Sequence, residues 1–163
     1  MNRVVILVLE DEPEVRAAVL GDLRPFEGRF RIEAAADAEE AEEVVAECID
    51  DGDDLGLVLC DHLLPGMRGT DFLVRLNHRP ETEAARKVLL TGQAGHDDTI
   101  RAVNEADLDH YLAKPWDPAE LQAVVRAQLT DFVVERGGEL LEYVSVLEGD
   151  RLLEAIRRRA WDR

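Results

Sequence analysis

Apolar runs alternate along the chain with stretches of helical spacing. Arg3 to Leu9 (RVVILVL) is a continuous β-branched and leucine run, which predicts a buried first strand. It ends in Glu10-Asp11-Glu12-Pro13. Pro13 fits the first turn of a helix, and Val15, Ala18, Val19 and Leu23 keep helical spacing until Pro25 and Gly28 break it. Phe30 to Ala36 predicts a shorter, more polar strand at a sheet edge. Asp37 is placed to cap a helix from Ala38 to about Ile49, with Ala41, Val44, Val45 and Cys48 or Ile49 inward. An acidic loop, Asp50-Asp51-Gly52-Asp53-Asp54, leads to a third strand, Leu55 to Cys60. Thr70 to Asn77 predicts a third helix with Phe72, Leu73 and Leu76 inward, and residues 78–85 loop out. Arg86 to Thr91 (RKVLLT) is the fourth strand. Asp97 or Asp98 caps a fourth helix with Ile100, Val103 and Ala106 on one face. Leu108 to Ala113 is the fifth strand and ends in Lys114-Pro115. Asp117 and Pro118 open a fifth helix, with Leu121, Val124, Val125, Leu129, Phe132 and Val133 at core spacing.

Strand and helix thus alternate five times, which implies an α/β fold with a parallel sheet and helices on both faces. Right-handed crossovers leave few arrangements, and the doubly wound, five-stranded, flavodoxin-like order 2-1-3-4-5 is the common one. This unit covers residues 1–136. Residues 137–163 form a helical C-terminal extension beyond Gly137-Gly138. Leu140, Leu141, Val144 and Leu147 predict one apolar helical stripe. Gly149-Asp150 interrupts it, and Leu152, Leu153 and Ile156 continue on a second short helix. The piece is too small to fold alone, so it packs back on the domain, pairs with a second chain as a homodimer, or begins a longer protein.

Net charge is −17, from 36 acidic and 19 basic residues. Such a surface repels phosphate backbones, so no nucleic-acid binding is expected through bulk electrostatics. The charge is uneven: residues 150–163 carry +2 and the remainder −19. Arg157-Arg158-Arg159 reads as a solvated helix end that suits the macrodipole. No apolar run approaches the roughly 20 residues of a membrane span, and a strand begins at Arg3 without a leader, so a cytoplasmic protein is expected. Cys48 and Cys60 form no CxxC or disulfide pattern, and His62, His78, His96 and His110 show no metal-ligand spacing.

The chemistry gathers where strands end. Leu57 to Cys60 runs straight into Asp61, and Pro65, Gly66 and Gly69 follow in a turn. In open parallel sheets, ligands bind outside the carboxyl ends of the strands. The first strand brings Glu10 and Asp11 to that edge, the fourth Thr91 and the fifth Lys114. Singly, these could be a solvated helix start, a turn residue, a strand terminator and a surface lysine. Together, the acids would repel one another and need a cation, and their all-oxygen ligation suits Mg2+ better than zinc. Such a site can hold a phosphoryl group on a carboxylate, because anion-on-anion attack requires charge neutralisation and alignment above all. Asp61 would be the nucleophile, Asp11 a direct metal ligand, and Glu10 a ligand directly or through water. Thr91 could donate its hydroxyl to a phosphoryl oxygen.

These motifs resemble the receiver domain of two-component response regulators over about residues 3–135. Leu9-Glu10-Asp11-Glu12-Pro13 resembles the acidic pair of that family, and Asp61-His62-Leu63-Leu64-Pro65-Gly66-Met67-Arg68-Gly69 its phosphoacceptor loop. Val88-Leu89-Leu90-Thr91-Gly92 is similar to the switch threonine motif. Asp109-His110-Tyr111-Leu112-Ala113-Lys114-Pro115 is similar to the switch aromatic and Lys-Pro pair. The resemblance implies that Asp61 receives a phosphoryl group from a sensor histidine kinase or phosphotransfer protein. It further implies that the Leu63 carbonyl joins Glu10, Asp11 and Asp61 around Mg2+, and that Lys114-Pro115 is cis. Thr91 and Tyr111 would then switch together, and the fourth helix, fifth strand and fifth helix would report to a downstream protein partner. Glu10 departs from the aspartate commoner in the family, and its longer side chain bears on metal affinity.

Two other readings share parts of this pattern. A haloacid-dehalogenase-type hydrolase also uses an aspartate nucleophile and Mg2+, but needs a second aspartate two residues on. Here Leu63 and Pro13 stand at those places, so the aspartyl phosphate should persist and the chain should not be an enzyme of that kind. A phosphorylation-independent interaction module would keep the fold without the chemistry. Asp61, Thr91 and Lys114 argue against it.

Overall fold

The structure is a computed structural model that describes residues 2–92, 105 and 107–163. Five parallel strands form one sheet in the order β2-β1-β3-β6-β7. They are β1 (Val4–Leu9), β2 (Phe30–Ala35), β3 (Asp54–Asp61), β6 (Arg86–Thr91) and β7 (His110–Ala113). Between β3 and β6, β4 (Leu63–Leu64) and β5 (Met67–Arg68) pair as a small antiparallel ribbon. Two-residue strands leave no periodicity to read, so the apolar pattern does not announce this ribbon. With it set aside, the sheet has the expected 2-1-3-4-5 order, and β2 lies at an edge.

The continuous apolar runs are explained by burial on both faces. Val4, Ile6 and Val8 point to one side of β1 and Val5, Leu7 and Leu9 to the other. The first set joins Leu57, Leu59, Val88 and Leu90 beneath α1 (Pro13–Asp22) and the long helix Pro118–Arg136. The second joins Val58, Cys60 and Leu89 beneath α2 (Ala38–Asp50) and α3 (Gly69–Asn77). Asp37 caps α2 as expected, accepting from the Glu40 backbone N–H at 2.8 Å. The fourth helix read from Asp97 or Asp98 lies outside the described residues.

The last sheet strand starts two residues later than its apolar run predicts. Asp107 adopts φ 56°, and Asp109 clamps the neighbouring strand instead of continuing the ladder evenly. The Asp109 N–H donates to the Lys87 carbonyl at 2.9 Å, while its carboxylate accepts from the Lys87 N–H at 2.8 Å.

The extension packs back on the sheet domain. Leu140, Tyr143, Leu147 and Leu152 are buried in the same cluster as Phe26, Phe30, Phe132 and Val133, and the Tyr143 ring stacks on Phe30 at 5.6 Å. The stripe from Leu140 to Leu147 is not a helix as expected: it holds a single 3-10 turn, Leu141–Tyr143, with Leu141 exposed. Tyr143, which the stripe omits, is its buried anchor. Gly149 begins the terminal helix, Gly149–Trp161, and does not interrupt one. Arg159 is tied down by bonds to the Gly138 and Val134 carbonyls, whereas Arg158 pairs with Glu154 on the helix surface. Among the described residues, no helix is long and apolar enough to cross a membrane.

Candidate functional site

Parallel pairing sets the carboxyl ends of β1, β3, β6 and β7 along one edge, and the residues singled out from the sequence meet there. Glu10 follows β1 and is fully buried. Its N–H donates to the Ala35 carbonyl at 3.1 Å, which holds it to the end of β2. Its carboxylate accepts from the Glu12 N–H at 3.1 Å. Asp61 ends β3 and is 6% exposed, and Asp11 is half-buried beside both. One carboxylate oxygen from each of Glu10, Asp11 and Asp61 lies within 4.8 Å of the other two.

Lys114 enters this group from β7. Its Nζ donates to Asp61 Oδ1 at 3.2 Å and to Glu10 Oε2 at 3.4 Å. Its backbone N–H donates to the Thr91 carbonyl at 2.7 Å, so β6 and β7 deliver threonine and lysine together. The Lys114-Pro115 peptide is cis. The Thr91 hydroxyl is buried and makes no hydrogen bond among the described residues. An orphaned hydroxyl of this kind costs free energy unless a ligand oxygen accepts from it.

The electrostatics follow from burial. Desolvation pushes the Glu10 carboxyl above the ordinary range, opposed by the Glu12 N–H, reinforced by the Asp61 charge and opposed again by Lys114. Burial alone would lower the Lys114 ammonium, but Asp61 and Glu10 outweigh it and hold that group above its usual value. The cluster therefore keeps its positive charge between two acids that would otherwise repel. Three hard carboxylate donors at this separation, with no nitrogen or sulfur ligand among the described residues, fit a small oxygen-seeking cation such as Mg2+.

Two expected participants sit at the rim. Leu63 begins the β4–β5 ribbon two residues beyond Asp61, with its side chain exposed. Tyr111 lies on edge strand β7, paired in register with Leu89, and is 54% exposed.

One residue of the site, Arg16, and the close packing of another, Gly69, escaped the sequence reading. Arg16, on α1, donates from Nη1 to the Glu10 carbonyl at 2.9 Å and steadies the turn carrying the acidic pair. Gly69 packs against the backbone of the central acid: a Cβ there would lie 1.9 Å from the Asp61 carbonyl oxygen. The glycine was visible as part of a turn, but its contact exists only because the ribbon folds back on β3, where the Gly69 N–H donates to the His62 carbonyl at 2.8 Å.

Known proteins resemble this chain in sequence and in fold. A family model described as the response regulator receiver domain matches residues 6–126. Response regulator Rre1 of Synechocystis sp. is 32% identical over 121 residues, covering 74% of this chain and 49% of its own length. The phosphate regulon transcriptional regulatory protein PhoB of Escherichia coli is 31% identical over 158 residues, covering 91% of this chain and 66% of its own. For the hydrogenase transcriptional regulatory protein HoxA of Cupriavidus necator, identity is 30% over 126 residues, and the chain spans only 24% of that relative's length. Among solved structures, the signal receiver domain of an HD domain-containing protein from Pseudomonas fluorescens superposes with TM-score 0.70 at 27% identity, covering 80% of this chain and 98% of that one. A CheY-like response regulator receiver domain protein from Methanospirillum hungatei gives TM-score 0.70 at 26% identity, covering 84% and 100%. With the sheet order, the clustered strand-end residues and the match over residues 6–126 in agreement, the chain belongs to the response regulator receiver family of two-component signalling.

Proposed function

We propose that Asp61 accepts a phosphoryl group from the phosphohistidine of a sensor histidine kinase or phosphotransfer protein, and that the phosphorylated chain signals to a downstream protein in the cytoplasm. The observation that carries this reading is the Lys114 ammonium, held 3.2 Å from Asp61 and 3.4 Å from Glu10 at the mouth of the acidic cluster. An Asp61 oxygen forms the new O–P bond as the P–N bond of the donor breaks, and the electron pair returns to the imidazole. Lys114 offsets the charge gathering on the phosphoryl oxygens, and Thr91, whose hydroxyl has no partner among the described residues, donates to one of them. Glu10, Asp11, Asp61 and the Leu63 carbonyl would hold Mg2+. What Mg2+ supplies when bound is neutralisation of the anionic donor and acids. The added group carries about −1.5 to −2 charges at pH 7, which draws Thr91 inward and makes room for Tyr111 to turn from its exposed position.

No carboxylate stands two residues beyond Asp61 to activate water, so the aspartyl phosphate persists as a signal and is lost only slowly. The exposed Leu141 and Leu153 leave the extension apolar surface for a second copy or a partner, although Leu140, Leu147 and Leu152 are committed to the chain's own core.

Incubation with a small phosphodonor and Mg2+, followed by intact-mass spectrometry, tests the chemistry. One phosphoryl adduct, absent in Asp61→Ala, is expected. Continuous release of phosphate would favour a hydrolase, and no adduct would leave a phosphorylation-independent interaction module.

A further inference from the structure

A chain of polar contacts runs from the switch strand to the terminal helix, and its members lie outside the phosphoacceptor cluster. Asp109 stands two residues before Tyr111; besides its backbone bond to the Lys87 carbonyl, its carboxylate is joined to β6 twice, through the Lys87 N–H at 2.8 Å and through Arg86 Nη2 at 2.9 Å. Arg86 is the first residue of β6, the strand that ends in Thr91. Its guanidinium also donates from Nε to Gln128 Oε1 at 2.9 Å and reaches Asp131 and Glu135 at 3.5 Å, all on the long helix. Asp131 in turn pairs closely with Arg151 in the first turns of the terminal helix. One guanidinium therefore divides its donors between the edge strand and the long helix, and one carboxylate is shared between two arginines.

We propose that this relay couples the phosphoacceptor site to the terminal helix, making the docking of that helix an intramolecular readout of the state of Asp61. The inference rests on the receiver reading of the site and adds an output element to it. β7 is an edge strand of four residues with one neighbour, so it is the sheet strand least held in place. When Thr91 and Lys114 are drawn to a phosphoryl group and Tyr111 turns inward, β7 moves with them and withdraws Asp109 from Arg86. The freed donors of Arg86 turn to Asp131 and Glu135, in competition with Arg151. Arg151 then loses Asp131 and is left with Glu148 at 3.5 Å, so the start of the terminal helix loosens around the bond from the Glu148 N–H to Thr130 Oγ1 at 3.1 Å.

The rest of the helix stays anchored by buried Leu152 and by the bonds of Arg159 to the Gly138 and Val134 carbonyls. The change is thus a shift in docking and not a release. It alters how the exposed Leu153 and Trp161 are presented to a partner. Because coupling is reciprocal, weakening the Arg151 contact must also bias β7 toward its switched arrangement.

Hydrogen exchange on the full chain, with and without phosphoramidate and Mg2+, tests the relay, with intact mass measured in parallel. Phosphorylated wild type is expected to exchange amides at the start of the terminal helix about two- to fivefold faster, the range an exposed ion pair is worth. Arg151→Gln should exchange at the faster rate already without phosphodonor and show no further change, while still forming the Asp61 adduct. Asp109→Asn should reproduce that fast exchange from the other end of the relay. An adduct in wild type with unchanged or slower exchange overturns the relay alone. No adduct overturns the reading of the site and the relay with it.

Discussion

Glu10 and Lys114 illustrate how much of the site depends on single side chains. A carboxylate that is 0% exposed sits beside a second acid, and the lysine between them is the positive partner that makes the pair tolerable. Lys114→Gln keeps a donor but removes the charge. The rate of Asp61 phosphorylation by a small phosphodonor is expected to fall by about a hundredfold, the usual cost of losing a preorganised donor at developing negative charge. Quench-flow mass spectrometry would measure it, and a wild-type rate would remove Lys114 from the chemistry. Gly69 is the other sensitive position. Because its Cβ would stand 1.9 Å from the Asp61 carbonyl, Gly69→Ala must displace the strand end or the ribbon. We expect a loss of about 1–3 kcal/mol in denaturant unfolding, with slower phosphorylation, from overpacking against backbone. Asp61, Thr91 and Lys114 were legible as residues because each terminates an apolar run. The demand on Gly69 was not, because its contact crosses a fold-back that the run does not encode.

At the scale of elements, the loop between α2 and β3 ties three strands together. Asp53 accepts from the Arg3 N–H at 2.8 Å at the approach to β1, and its other oxygen meets Arg31 of β2 at 2.9 Å. The Arg3 N–H foremost, and then Arg31, hold this carboxyl below its ordinary value of 3.8. A lowered folded-state pKa contributes stability above the unfolded value, and that contribution is lost as pH falls through the folded one. Asp53→Asn should therefore cost about 1–3 kcal/mol at pH 7 in urea unfolding, with the difference from wild type shrinking below about pH 4. A pH-independent difference would mean that lost packing and not charge is responsible. The sequence read this stretch as a generic acidic loop, since Asp50, Asp51, Asp53 and Asp54 are equivalent until register chooses among them. Capping was easier to foresee, because Asp37 needs only the N–H of Glu40, three residues away. The shortened β7 was harder, because Asp109 takes its partners from another strand.

Across the whole molecule, the extension behaves as part of the core. Tyr143 is buried and stacked on Phe30, and its hydroxyl accepts from Arg136 at 3.4 Å. Tyr143→Ala should destabilise the entire chain by about 3 kcal/mol in a single cooperative transition, the scale of removing a buried aromatic. A separate early transition confined to residues 137–163 would contradict that shared core. The sequence by itself determined the order of the five sheet strands, the doubly buried character of the sheet, and which residues arrive at its carboxyl edge. Those follow from local periodicity and from the few topologies that right-handed crossovers permit. Only the tertiary structure decided that one oxygen from each acid falls within 4.8 Å of the other two with Lys114 between two of the acids, that Gly69 is pinned against Asp61, and that the extension closes over Phe26 and Phe30. Distances between residues fifty or a hundred positions apart are set by packing, and packing is a property of surfaces that come into being only when the chain has folded.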